Sequence, residues 1–109
     1  MKELPKSTKV VVIGGGVAGT SCAYHLAKFG WKDVILLERD QLTSGTTWHA
    51  AGLLGQLGAS STITKIRKYS LDLYKELEKT TGLSTGMKQN GAITVASTKE
   101  RMQELLRQA

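Results

Sequence analysis

An α/β fold, the start of a doubly wound dinucleotide-type domain, is what this sequence predicts, and three observations carry the prediction. A β-branched run, Val10-Val11-Val12-Ile13, feeds directly into Gly14-Gly15-Gly16-Val17-Ala18-Gly19. A second apolar run, Val34-Ile35-Leu36-Leu37, ends on the acid Glu38. Between them lies a stretch with helical periodicity. Strand, glycine turn, helix, strand and acid form a complete βαβ unit, whose parallel strands read as continuous apolar runs because both faces are meant to be covered.

Each element has its own reason. In the G-x-G-x-x-G pattern, Gly14 makes the tight turn out of the strand, Gly16 lets backbone approach a diphosphate, and Gly19 lets the helix sit close to the sheet. The helix that opens here presents unpaired N–H groups and the positive end of its dipole, which suits an anion without a cationic side chain. It is expected over about 18–29, with Ala18, Cys22, Leu26 and Phe29 on the sheet side and Gly30 as its stop. Cys22, the single cysteine, is expected as a small buried residue, His25 as a surface or half-buried one, and Trp31 as a cover over the helix end. Glu38, at the tip of the second strand, is placed to accept both hydroxyls of an adenosine ribose. It would repel a 2′-phosphate there, and the neighbouring Arg39 offsets this only in part.

After Glu38-Arg39-Asp40 an ordinary nicotinamide domain would continue to another helix and a third parallel strand. This chain instead gives Leu42 to Gly55, dense in small and hydroxyl residues. Backbone can approach a ligand closely there, Ser44, Thr46 and Thr47 offer hydroxyls, and His49 stands mid-loop followed by small residues. Ser61 or Thr62 is expected to cap a second helix whose stripe, Ile63, Ile66, Leu73 and Leu77, runs to Gly82, with Tyr69 and Tyr74 as packing residues beside it. Met87-Lys88-Gln89 and Ala92 to Ala96, joined by Asn90-Gly91, then read as a β-hairpin opening a second, substrate-facing sheet. The expected division is therefore 1–82, the start of a nucleotide-binding domain, and 83–109, the start of a substrate domain with a further helical segment from Thr98.

At 109 residues the chain is expected to be an incomplete domain, because a doubly wound fold uses about five or six strands. The net charge is +6 and the pI near 9.6, yet lysines and arginines are scattered with no aromatic-interleaved stripe, so no nucleic-acid partner is expected. No run of about 18 apolar residues is present to span a membrane, and no metal site is read. Residues 1–9 resemble neither a secretory signal nor a transit peptide.

Taken together, Gly14 to Gly19, Leu37-Glu38-Arg39, Leu42-Thr43-Ser44-Gly45-Thr46-Thr47-Trp48-His49-Ala50-Ala51-Gly52-Leu53, Thr81-Gly82 and Gln89-Asn90-Gly91 resemble the N-terminus of the sarcosine and dimethylglycine dehydrogenase family. That family sits within the flavin amine oxidoreductases of the D-amino-acid oxidase group. The resemblance runs from about Lys9 to the end; its fingerprint is widespread, whereas the T-S-G-T-T-W-H-A-A-G-L run is more specific. It implies FAD as cofactor, held by Gly14, Gly16, Val17, Ala18, Gly19, Glu38, Arg39 and the loop Gly45, Thr46, Thr47, Trp48, His49, Ala50, Ala51, Gly52 and Leu53. It further implies a covalent bond from His49 to the flavin and oxidation of a small N-methyl amine by hydride transfer. An electron acceptor such as an electron-transfer flavoprotein follows, with tetrahydrofolate as a possible partner of a C-terminal half. The implied location is the mitochondrial matrix in a eukaryote or the cytoplasm in a bacterium.

Other readings stay open at this level. His49 could be a loop histidine bound to the fold or a noncovalent flavin neighbour, and Trp48 a hydrophobic plug that fixes the loop. The chain could belong to a nicotinamide dehydrogenase. It could also belong to a noncatalytic relative of the pyruvate dehydrogenase phosphatase regulatory type, in which this N-terminus lacks the histidine. The 109 residues by themselves are expected to show no turnover.

Overall fold

A computed structural model describes residues 5–109, in two compact units: a first ending at Leu53 and a second spanning Leu54–Ala109. In the first, strand β1 (Val10–Ile13) leads to helix α1 (Val17–Lys28), strand β2 (Val34–Leu37) and a short 3-10 helix at Thr46–His49. The strands pair in parallel, Val10 opposite Val34 and Ile13 opposite Leu37, so the glycine turn and Glu38 leave the sheet side by side. At the other end of the pair the Thr8 hydroxyl donates to the Asp33 carboxylate at 2.8 Å and the Lys9 N–H does so at 3.2 Å. These contacts tie the entry of β1 to the start of β2 and hold the register.

The βαβ unit is as expected, but α1 is turned by about one residue from the expected orientation. A Cβ on Gly19 would lie 1.8 Å from the Gly14 carbonyl oxygen and 3.5 Å from Val12 Cγ1, so the helix rests on the sheet at Gly19 itself. The half-buried positions that follow are Thr20, Ala23, His25 and Leu26, of which Ala23 and Leu26 continue from Gly19 at helical spacing. Ala18 and Cys22 are exposed and Phe29 is 75% exposed, so of the four residues expected on the sheet side only Leu26 is there. Trp31 is likewise exposed rather than covering the helix end, and His25 is half-buried as expected.

No apolar side chain is fully buried among the described residues; the one buried residue is Gly15. Helix α1 covers one face of the pair, while Val11 and Ile13 project from the other, Ile13 at 85% exposure. A two-stranded pair with a single helix excludes water from very little.

In the second unit, helix α2 (Ser61–Thr81) is capped by Ser60, one residue before the expected Ser61 or Thr62; its hydroxyl accepts the Ile63 N–H at 3.3 Å. Of the expected stripe Leu73 and Leu77 are half-buried with Tyr74, whereas Ile63, Ile66 and Tyr69 are exposed. The helix ends on Gly82 in the left-handed conformation, φ +69°. Beyond it the Glu78 carboxylate accepts the Thr85 N–H at 2.8 Å and the Thr85 hydroxyl at 2.7 Å, which folds the chain back on the helix end. The expected hairpin does not form: 83–96 pairs with no strand, although Gly91 takes the positive φ such a turn needs. Ile93 and Val95 stand almost wholly in solvent, and an isolated hairpin with no face to bury is marginal. Helix α3 (Lys99–Gln108) follows, capped by Thr98 on the Arg101 N–H.

Candidate functional site

The glycine turn is built from three different constraints. Gly14 has φ +101°, a conformation costly for any residue with a Cβ, and its N–H donates to Leu37 O at 2.8 Å. Gly19 is held bare by the Gly14 carbonyl. A Cβ on Gly16 would lie 2.8 Å from the Thr47 hydroxyl oxygen, which marks a place where backbone and another polar group come into direct contact. The tight turn at Gly14 and the close helix approach at Gly19 are therefore visible in the backbone, and the space beside Gly16 is taken by the Thr47 hydroxyl.

Around this turn the structure gathers the loop after β2. Thr47 Oγ1 accepts the N–H of Val17, the first residue of α1, at 2.9 Å. Helices α2 and α3 each carry their own side-chain cap, whereas the N-cap of α1, Gly16, has none. The leading amide of α1 is thus aimed at a hydroxyl oxygen from a different segment, the disposition that an anionic oxygen would take up. Glu38 bridges the same region: Oε2 accepts the Gly15 N–H at 2.6 Å and Oε1 the Asp40 N–H at 3.1 Å. These bonds, the Gly15 one foremost, hold its carboxyl below the ordinary glutamate value of 4.5, so it is ionised at neutral pH. A carboxylate has about four lone-pair sites, which leaves acceptor capacity for hydroxyls of a ligand.

The space between these groups is a half-open cavity of about 450 Å³ lined by Ile13, Gly14, Gly16, Leu37, Glu38, Arg39, Asp40, Ser44, Gly45, Thr46 and Thr47. Its volume is ordinary for a small-molecule site. Ala18, though one residue past the turn's contact with Thr47, is not in that lining, and neither is His49. The His49 ring lies beside Trp48, centroids 3.9 Å apart, with Nδ1 3.2 Å from Gly45 O. Trp48 is held by its Nε1–H on Ser44 O at 2.9 Å but is 66% exposed, so it fixes the loop by a hydrogen bond and not as a buried plug. Ala50 to Leu53 continue the loop in the open, with Gly52 at φ +70°.

Two features escaped the sequence reading. Gly15 occupies a position that the fingerprint leaves free, and the folded loop crowds it: a Cβ there would lie 2.5 Å from Leu42 Cδ2 and 3.1 Å from Glu38 Cβ. Thr43 has φ +68°, the one residue other than glycine with positive φ among those described. No sequence signal announces a threonine in that conformation.

A parallel βαβ unit with a bare glycine turn, an uncapped helix start and an acid at the tip of the second strand defines the class of dinucleotide-binding α/β proteins. The chain matches, over residues 9–109, the DAO family, FAD dependent oxidoreductase, and belongs to it. It is 48% identical over 107 residues to human mitochondrial sarcosine dehydrogenase, covering 97% of this chain and 12% of that protein. It is 45% identical over 104 residues to the mouse mitochondrial pyruvate dehydrogenase phosphatase regulatory subunit, covering 95% of this chain and again 12% of the relative. Among solved structures it is similar to glycine oxidase from Bacillus cereus ATCC 14579, with TM-score 0.68 and 30% identity over 93% of this chain and 29% of that one. The chain therefore spans about an eighth of the length of those two curated relatives. No helix among the described residues is long and apolar enough to cross a membrane.

Proposed function

We propose that this chain forms the adenosine-diphosphate end of the FAD site in an oxidoreductase that demethylates an N-methyl amino acid of the sarcosine or dimethylglycine type. The observation that carries the reading is the contact of Thr47 with the first amide of α1, which seats the loop bearing His49 on the glycine turn. The bare Gly16 and the amide-lined start of α1 fit a diphosphate. In this reading Val17 and Ala18 contact it, Glu38 accepts the ribose hydroxyls, and Arg39 lends positive charge at the rim. The loop Gly45 to Leu53 follows the rest of the cofactor, with His49 bonded to the flavin. FAD, when bound, supplies the two-electron acceptor for amine oxidation, and the protein's part is position and environment. An electron-transfer flavoprotein as acceptor, tetrahydrofolate as taker of the one-carbon unit, and a matrix or bacterial cytoplasmic location belong to the same proposal; none of these three is assigned a residue in this chain.

The test is acid precipitation of the whole protein as its gene encodes it. Flavin absorbance is expected to stay with the polypeptide and to move to the supernatant in His49→Ala. Yellow supernatant from the unaltered protein refutes the covalent link, and a protein that takes up no FAD refutes the reading altogether. The likeness to a phosphatase regulatory subunit supports a second reading, a noncatalytic one, which gains if bound flavin is not reduced by sarcosine or dimethylglycine.

A further inference from the structure

The unexplained feature of the first unit is the pair formed by Gly15 and Thr43. Gly15 is the one buried residue described, and its peptide groups are held from two sides. Its N–H donates to Glu38 Oε2 at 2.6 Å, and its carbonyl accepts the Thr43 N–H at 3.0 Å. Thr43 has φ +68°, which for a β-branched residue is a strained conformation, and with its N–H anchored that rotation sets the direction in which the chain leaves toward Thr47. Its hydroxyl makes no hydrogen bond among the described residues, so the backbone direction is what the position supplies. Leu42, the residue before it, packs against Gly15 so closely that a Cβ there would meet its Cδ2. Four residues further on, the Thr47 hydroxyl reaches Val17 N–H, and His49 ends the same 3-10 helix.

We infer that Thr43 is a positioning residue: its left-handed backbone locks the loop to the Gly15 carbonyl and so sets where Thr47 and His49 stand relative to the glycine turn. The inference rests on the FAD reading above and deepens it, because it separates two halves of the cofactor site. The turn's amides, with Val17 N–H free for a ligand once Thr47 is withdrawn from it, and Glu38 recognise the adenosine diphosphate; the loop, aligned by Thr43, governs the flavin half. Strain at Thr43 is kept because the alternative is a loop joined to the turn through side chains alone.

The experiment compares Thr43→Gly, Thr43→Asn and Thr43→Pro in the whole protein, measuring ADP and FAD affinity by calorimetry and flavin retention after acid precipitation. Glycine and asparagine tolerate positive φ and keep the N–H, so both variants are expected to hold ADP and FAD within about threefold of the parent. Proline removes the donor and cannot take that φ. It is expected to leave ADP affinity within about threefold while FAD affinity falls tenfold or more and acid-stable flavin disappears. A merely structural role would lower ADP and FAD together, and that outcome overturns the inference. So does a proline variant with unaltered FAD binding and acid-stable flavin, or a glycine variant that fails as proline does. A parent protein that binds ADP but no FAD overturns the FAD reading and the inference with it, whereas a parent that binds both and shows no split among the variants overturns the inference alone.

Discussion

Gly19→Ala is the substitution for which the structure fixes both sign and size. In an exposed helix interior, exchanging glycine for alanine gains about 1 kcal/mol. Here the new Cβ would lie 1.8 Å from the Gly14 carbonyl oxygen, against an ordinary C···O separation of about 3.3 Å. The start of α1 must therefore retreat by about 1.5 Å, and the obstacle is backbone in a turn whose own N–H is tied to Leu37 O. Overpacking of this kind costs about 1–3 kcal/mol, and the upper end applies because no side chain can swing aside. The net loss of about 2 kcal/mol is read as a lowered melting temperature. A diphosphate loses more, since a retreat of about 1.5 Å takes amide donors out of hydrogen-bond reach. Two charge-assisted bonds at about 1.5 kcal/mol each amount to about a hundredfold in affinity. Calorimetric titration with ADP and a thermal melt read both effects. Gly55→Ala is the control, because nothing lies within 4 Å of a Cβ there, its φ is not positive and it lies outside the cavity lining. A Gly19→Ala protein with a raised melting temperature and parental ADP affinity would refute the packing argument.

Three further outcomes follow from the same geometry. Glu38 sits below its ordinary value of 4.5 because of the Gly15 and Asp40 amides, so its contribution to stability is intact above that pH and is lost as pH falls through the depressed value. Melting temperatures between pH 6 and 3 should fall less steeply in Glu38→Gln than in the parent; parallel curves would contradict this. Gly16→Ala should weaken ADP binding through the Thr47 hydroxyl 2.8 Å away, and Thr47→Ala added to it should restore part of the loss, so strict additivity in the double variant counts against the contact. Ser60→Ala removes the cap of α2 and should cost about 1 kcal/mol, read as reduced helicity and an earlier melt, and an unchanged melt would show the cap to be idle.

What could be read from the residues alone was whatever is decided locally. Val10–Ile13, the turn at Gly14 and Val34–Leu37 agree in sequence and structure, because apolar runs and a glycine requirement are stated within a few neighbours. Helix rotation was misread at Cys22 and Phe29 because periodicity fixes which residues share a face, not which face a bare glycine lets down onto the sheet. The segment 87–96 was misread because Asn90-Gly91 encodes a turn, whereas a ladder also needs a surface to lie on. At the site, the place of Glu38 at the tip of the second strand was legible, whereas the backbone amides that Glu38 and Thr47 accept from were not. Nor were Gly15 and Thr43, since their need arises from a contact between segments far apart in sequence.

The two-stranded sheet also has a practical consequence. With β1 and β2 each paired on one side only, both rims offer a row of unengaged amides and carbonyls beside apolar residues such as Ile13. Such rims template the addition of like strands from other copies, so these residues produced alone should accumulate as β-rich aggregate as concentration rises. Solubility would then be gained by supplying strands to seal the rims, and adding salt or removing surface charge would not substitute for them.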